Sequence, residues 1–211
     1  MSSKPIDSLL FDVDGTIWDS TFVICKAWNA VLAGNGYGMI HLTADDLKRE
    51  FGKPLDVIAD DLIPSVPLAD RKNILAQWVE HQAACILTDP PLIYEGLEEA
   101  LAQLSKKYPL FVVSNSQVGY IESMFDVTGL GKYFVDHVCN GDTGLAKDGN
   151  ITYMAEKHHL QNPAYIGDIQ GDYLATRKAG VDFIYAAYGF GEVPVYEYRI
   201  DKPLDLLKLD F

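Results

Sequence analysis

The sequence predicts an α/β protein whose parallel-sheet core is interrupted by an all-helical insertion, and three observations predict it. Short apolar runs of strand length end abruptly in polar groups: residues 8–11 at Asp12 and Asp14, residues 110–113 at Ser114 and Asn115, residues 164–166 at Gly167 and Asp168. Such runs are what strands buried on both faces of a parallel sheet look like. Helix-period segments alternate with them. From Asp19 to about Thr88, by contrast, only helical periodicity is found.

The first strand stops at two carboxylates two positions apart, followed by Gly15 and Thr16. Side chains at i and i+2 of a strand point the same way, so Asp12 and Asp14 start on one side. Gly15 permits a sharp turn, and Thr16 offers a hydroxyl to tie it. Past Ser20, residues Phe22, Val23, Lys26, Ala27, Ala30 and Val31 suit one amphipathic helix that runs out in Gly34-Asn35-Gly36-Tyr37-Gly38. Thr43 is an N-cap for residues 45–51, and Pro54 fits the first turn of a helix reaching about Leu62. After Pro67, the residues Ile74, Leu75, Trp78, Val79, Cys85 and Ile86 recur at helical intervals until Pro90-Pro91. Charged runs here, such as Asp70-Arg71-Lys72, are expected on solvated helix faces. The α/β pattern resumes at Gly96 with a helix lined by Leu97, Ala100, Leu101 and Leu104, then the strand at 110–113 and a helix from Gln117 to about Val127. A short strand at 135–138 precedes a loop, 141–149, that carries Lys147; Asn150 then caps a helix to about His159. The strand at 164–166, a helix at 170–179 and a strand at 182–186 follow, and the tail ends in an amphipathic turn near 204–207. Residues 1–18 and 89–211 are thus expected to form the core and 19–88 the insertion.

Composition narrows the function. A 211-residue chain that is 48% hydrophobic can bury a sizeable core. Seventeen basic against thirty acidic residues give a net charge of -13, which repels nucleic acid and anionic membrane; neither is an expected partner. A phosphorylated ligand would need local positive charge from a metal ion and a few placed lysines. Cys25, Cys85 and Cys139 have no metal-ligand spacing and are expected to be buried, reduced thiols. The start, Met1-Ser2-Ser3-Lys4-Pro5, lacks the apolar core of a signal peptide, and no apolar run is long enough to span a bilayer, so a cytoplasmic monomer or dimer is expected.

Carboxyl ends of parallel strands share one edge of a doubly wound sheet, so the polar strand ends converge there. Two anions held together at such a place repel, and the repulsion persists where a cation or a shared proton offsets it. Read as chemistry, one carboxylate is a nucleophile and the other a proton donor, with a hard metal ion beside a phosphate. An exposed Asp-x-Asp-Gly turn is the alternative. An EF-hand is not: the twelfth position counted from Asp12 is Val23, not glutamate.

In order along the chain, Asp12-Val13-Asp14-Gly15-Thr16, Ser114, Lys147 and Gly167-Asp168-x-x-x-Asp172 resemble the four motifs of the haloacid dehalogenase superfamily. The resemblance implies a Rossmann-like core with a mobile cap, here the C1 type of phosphoglycolate phosphatases and β-phosphoglucomutases. It implies that Asp12 attacks phosphorus, and that Asp14 protonates the leaving oxygen with a pKa raised by its neighbour carboxylate. Mg2+ would be held by Asp12, the Asp14 backbone carbonyl, Asp168 and, directly or through water, Asp172. Ser114, the Asn115 amide, Thr16 and Lys147 would bind the phosphoryl group. The sequence departs from the family at Lys147, where Asp148 stands in place of the usual proline. The second aspartate separates the chain from dehalogenases, and Ile24 occupies the place where C1 mutases carry a histidine. Lys26 and Lys53 stand where a Schiff-base lysine of phosphonoacetaldehyde hydrolases would be sought. Arg49 and Lys53, in a loop resembling the substrate loop of C1 phosphatases, are candidates for a second anionic group, and Trp18 for closing over the substrate. The implied activity is an Mg2+-dependent phosphatase acting on a small phosphorylated metabolite, phosphoglycolate-like compounds among them. A phosphosugar mutase and a noncatalytic phosphoryl-binding module are the alternatives.

Overall fold

The computed structural model describes residues 5–209; the signal-peptide reading of residues 1–4 lies outside them. In chain order the elements are β1 (Ser8–Phe11), β2 (Trp18–Asp19), α1 (Thr21–Gly34), α2 (Ala44–Lys48), α3 (Leu55–Leu62), α4 (Leu68–Thr88), β3 (Leu92–Ile93), α5 (Leu97–Leu104), β4 (Leu110–Ser114), α6 (Tyr120–Thr128), β5 (Asp136–Cys139), α7 (Asn140–Thr143), α8 (Lys147–Lys157), β6 (Pro163–Gly167), α9 (Gln170–Ala179), β7 (Asp182–Ala186) and β8 (Tyr198–Ile200). Two 3₁₀ turns lie at Leu130–Tyr133 and Pro203–Lys208.

Six strands form a sheet in the order β5-β4-β1-β6-β7-β8, with every pairing parallel. This is the doubly wound order, in which the chain leaves the middle strand first to one side and then to the other. The period of two sorts the strand residues: Leu9, Phe11, Val112, Ile166 and Ile184 join the core cluster on one face, and Leu10, Phe111, Val113, Tyr165 and Phe183 the cluster on the other. Both faces are covered, which is why the central strands β1, β4 and β6 are buried along their whole length and almost wholly apolar.

Helices α1 to α4 all lie between β2 and β3, which pair antiparallel as a two-stranded ribbon, Trp18 opposite Ile93 and Asp19 opposite Leu92. Their shared interior holds Trp28 of α1 stacked on Trp78 of α4 at 4.9 Å between ring centroids. Runs of two residues carry no readable period, so this ribbon had no signal in the sequence; the edge strand β8, three residues long, was missed for the same reason.

Several boundaries differ from the expected ones. Thr43 caps a helix that is over by Lys48, and Pro54 is the N-cap of α3, not a first-turn residue. Helix α6 starts only at Tyr120, after Gly119 at φ 84°, and not at Gln117. Lys147 is the first residue of α8, capped by Ala146, instead of a loop residue. Asn150 lies buried inside α8, where its side chain accepts from the Thr143 hydroxyl at 2.7 Å and donates to the Leu145 carbonyl at 3.3 Å. It thereby ties the preceding turn to the helix from within, a contact that looks like a cap in sequence. Cys25 and Cys139 are buried free thiols, whereas Cys85 is only partly covered. No helix among the described residues is long and apolar enough to cross a membrane.

Candidate active site

The carboxyl ends of β1, β4 and β6 lie side by side, Phe11 in register with Val112 and Ile166, so the residues just past them are brought together. Asp12 continues the sheet by donating its backbone N–H to the Ile166 carbonyl at 2.9 Å. The chain then turns: Ile17 and Trp18 donate to the Val13 carbonyl, Gly15 donates to Trp18, and Gly15 has the expected positive φ, 80°. The Thr16 hydroxyl does not tie this turn; it is buried without a partner, while the Thr16 carbonyl accepts from the Tyr188 hydroxyl at 2.9 Å.

Asp12, Asp168 and Asp172 each place one carboxylate oxygen within 4.8 Å of the others, and all three are buried. One cation faces them: the Lys147 ammonium, 3.0 Å from Asp12 Oδ2 and 2.5 Å from Asp172 Oδ1. The lysines before and after it in the sequence are engaged elsewhere, Lys132 with Glu98 and Lys157 with Asp136. Asp172 is wholly buried, and its Oδ2 accepts from the backbone N–H groups of Asp168 and Ile169. Asp168 Oδ2 accepts from the Phe190 N–H at 2.7 Å, and Asp168 Oδ1 is buried with no partner.

Electrostatics follow from this burial. Desolvation pushes the Asp12 carboxyl up to about 7 against the pull of Lys147. Asp168 is raised well above the usual carboxylate range by burial, and further by Asp172 and Asp12. Burial draws Lys147 down, but Asp12 and Asp172 outweigh it and hold its ammonium above the ordinary lysine value. Three carboxylates against one ammonium leave an uncompensated negative cluster with one orphaned oxygen, a donor set that a divalent hard cation balances. Asp12 and Asp168 have the oxygens to hold such an ion; both Asp172 oxygens are already bonded.

Asp14 is not part of this cluster. Its carboxylate lies across the turn, where Oδ1 accepts from Ser20 Oγ at 2.5 Å, the Tyr120 hydroxyl at 2.7 Å and Trp18 Nε1 at 3.0 Å. Burial raises its pKa against these three donors; the neighbouring carboxylate expected to do so is not the cause. All three bonds fall on Oδ1, so a transferable proton belongs on Oδ2. Trp18 is fully buried, edge-on to Tyr120 at 5.7 Å, and therefore positions Asp14 instead of closing over a ligand.

A narrow cavity of about 50 Å³ opens beside these groups. Asp12, Asp14, Ser114, Asn115, Ser116, Gln117 and Tyr120 form its floor, and the helical insertion supplies Ile24, Phe51, Gly52, Lys53, Leu55, Ile58, Trp78 and Gln82. The insertion is drawn tight onto the floor. Asn115 Nδ2 donates to the Gly52 carbonyl at 2.6 Å, Phe51 meets Phe190 at 5.6 Å, and a Cβ on Gly52 would lie 2.3 Å from Ile169 Cδ1. Gly52, at φ 86°, is thus the residue that lets the loop descend. Ser114 lines the cavity with its Oγ accepting from the Ser116 N–H at 3.1 Å. Of the cations expected in the insertion, Lys53 reaches the wall but is bonded to Glu50 at 2.5 Å and Asp61 at 2.8 Å. Arg49 is paired with Asp46 and is not on the wall, and Lys26 is exposed beside Asp89. Sequence reasoning had no reason to single out Ser20, Tyr120, Ser116, Gln117, Trp78 or Gln82; helical spacing marked Trp78 only as core.

Comparisons with known proteins bear on the family and the fold. A sequence model of the family described as haloacid dehalogenase-like hydrolase matches residues 9–186. A phosphoglycolate phosphatase of Agrobacterium fabrum is 27% identical over 216 aligned positions, covering 97% of this chain and 91% of the relative. One from Aquifex aeolicus is 24% identical, covering 95% of each. Among solved structures, a haloacid dehalogenase-like family hydrolase from Streptococcus pneumoniae superposes with a TM-score of 0.85 at 21% identity, over 96% of this chain and 97% of that one. A predicted phosphoglycolate phosphatase from Haemophilus somnus does so with a TM-score of 0.87 at 19% identity, over 98% and 99%.

Proposed function

The chain belongs to the haloacid dehalogenase-like hydrolases, and from that membership we propose that it is an Mg2+-dependent phosphatase that hydrolyses a small phosphomonoester through an aspartyl-phosphate on Asp12. The observation that carries the reading is the separation of two carboxyls two residues apart. Asp12 lies among Lys147 and the orphaned acid cluster, and Asp14 lies across the turn in a raised-pKa site of its own. That is the division of labour between a nucleophile and a proton carrier.

Asp12 and Asp168 would hold the cation, and Asp172 keeps Lys147 and the Asp168 loop in place through bonds to both. When bound, the cation neutralises charge on the phosphoryl oxygens and keeps Asp12 ionised. An Asp12 oxygen attacks phosphorus, the bond from phosphorus to the alcohol oxygen breaks, and the Asp14 proton passes to that oxygen, releasing the alcohol. Water then attacks the aspartyl-phosphate and gives a proton back to Asp14. The bond between phosphorus and Asp12 breaks, and inorganic phosphate leaves. Lys147, with the Ser114 hydroxyl and the Asn115 amide on the cavity floor, holds the transferring group in line; phosphoryl transfer depends mainly on such positioning and charge. The helical insertion closes the site against water.

The mutase alternative is disfavoured by Ile24, which lines the cavity and has no proton to exchange with a sugar hydroxyl. Steady release of phosphate from p-nitrophenyl phosphate with Mg2+ tests the reading. Asp12→Asn is expected to reduce it at least 10³-fold, since the nucleophile is lost. Undiminished turnover in that variant would refute the mechanism.

A further inference from the structure

Buried polar side-chain atoms without a partner are scarce in native proteins, because each one is destabilising. Here they are not scattered. Trp78 Nε1, Gln82 Oε1, Asn115 Oδ1, Ser116 Oγ and Gln117 Nε2 are all buried and unbonded, and all five residues line the one cavity beside Asp12 and Asp14. Trp78 and Gln82 are 4% and 2% exposed, one helical turn apart on α4, and so present hydrogen-bonding groups from the roof. The remainder of the roof, Ile24, Phe51, Leu55 and Ile58, is apolar. Among the described residues, the one cation on that wall, Lys53, is held by two carboxylates. A second anionic group on a substrate would meet no spare positive charge there.

We infer that Trp78 and Gln82 form a binding subsite for an uncharged, hydroxylated alcohol, so that the preferred substrate is the phosphomonoester of a small neutral polyol and not of a hydroxy acid. The inference rests on the phosphomonoesterase reading and deepens it. Hydroxyl groups both donate and accept, which suits an indole N–H and an amide together, and the carbon skeleton between them suits the apolar roof. A site built from unpaired polar groups also rejects molecules that cannot pair them, because the penalty then persists in the complex. The subsite gives a role to the free N–H that the stacked Trp78 carries into the interior.

The full-length chain with Mg2+ would be assayed on glycerol 3-phosphate and erythritol 4-phosphate, on phosphoglycolate and 3-phosphoglycerate, and on p-nitrophenyl phosphate as reference. The polyol phosphates are expected to exceed the carboxylated compounds at least tenfold in kcat/KM. Trp78→Phe and Gln82→Leu should each lower the polyol-to-reference ratio of kcat/KM about tenfold. Without ligand, Gln82→Leu should melt at the same or a higher temperature, because an unpaired polar group has been removed from the interior. Equal or better turnover of the carboxylated compounds overturns the inference. So does an equal loss on every substrate with a lower melting temperature, the mark of a merely structural role. Binding of glycerol 3-phosphate and phosphoglycolate to the Asp12→Asn protein reads the subsite without turnover; tighter binding of phosphoglycolate refutes it. Failure of the native chain to hydrolyse p-nitrophenyl phosphate would sink the phosphatase reading separately.

Discussion

The position of Asp168 is decided by a residue that touches nothing reactive. The tail glycine Gly189 passes so close that a Cβ there would lie 2.3 Å from Asp168 Cβ and 2.4 Å from the Gly15 carbonyl oxygen. A methyl group cannot be accommodated without moving Asp168. Gly189→Ala is therefore expected to raise the Mg2+ concentration for half-maximal activity 10- to 100-fold, the usual effect of disturbing what orients a ligand. A metal titration of phosphate release checks it, and an unchanged half-point would show that the tail does not set Asp168. The acids at the strand ends were legible in the sequence because each stops an apolar run. Gly189 and the Phe190 N–H that bonds Asp168 were not, since their loop follows a different strand.

At the scale of elements, the start of β5 and the end of α8 are joined by Asp136, whose Oδ2 lies 2.7 Å from both Lys157 Nζ and His158 Nε2. Burial alone would raise this carboxyl, but the bonds to Lys157 and His158 outweigh it and hold it at about 2, below the ordinary 3.8. A carboxyl with a depressed folded pKa adds stability above its unfolded value and loses it as pH falls through the folded one. Asp136→Asn should accordingly lower stability at pH 7 by about 1–2 kcal/mol and by only a small part of that near pH 2, as urea unfolding at the two pH values would show. An equal deficit at both would mean that the ion pair contributes nothing. Helix α8 matters to function because it begins with Lys147. The expectation of a loop there failed for a physical reason: Gly149 and Asn150 are weak helix formers, and only the bonds from Asn150 to Thr143 and Leu145 offset that.

For the whole molecule, the acid cluster stores a repulsion that folding alone does not relieve, because Lys147 answers only part of it. A divalent cation that binds the folded chain should stabilise it by about 2.7 kcal/mol at a hundred times its Kd. For a chain of this size that is a rise of roughly 5–10 °C in Tm, reversed by a chelator. Asp168→Asn should abolish the rise; thermal unfolding with and without Mg2+ measures it, and a full rise in that variant would place the ion elsewhere. The sequence by itself determined the alternation of strand and helix, the helical stretch after the first strand, and the order of the polar strand ends, because period, turn residues and abrupt polarity are local properties. Only the tertiary structure decided that Asp14 is held by Tyr120, 106 residues away, and that Trp78 and Gln82 face a cavity with their polar atoms unpaired. Whether a buried polar atom finds a partner depends on which distant segments pack beside it, and no local pattern encodes that.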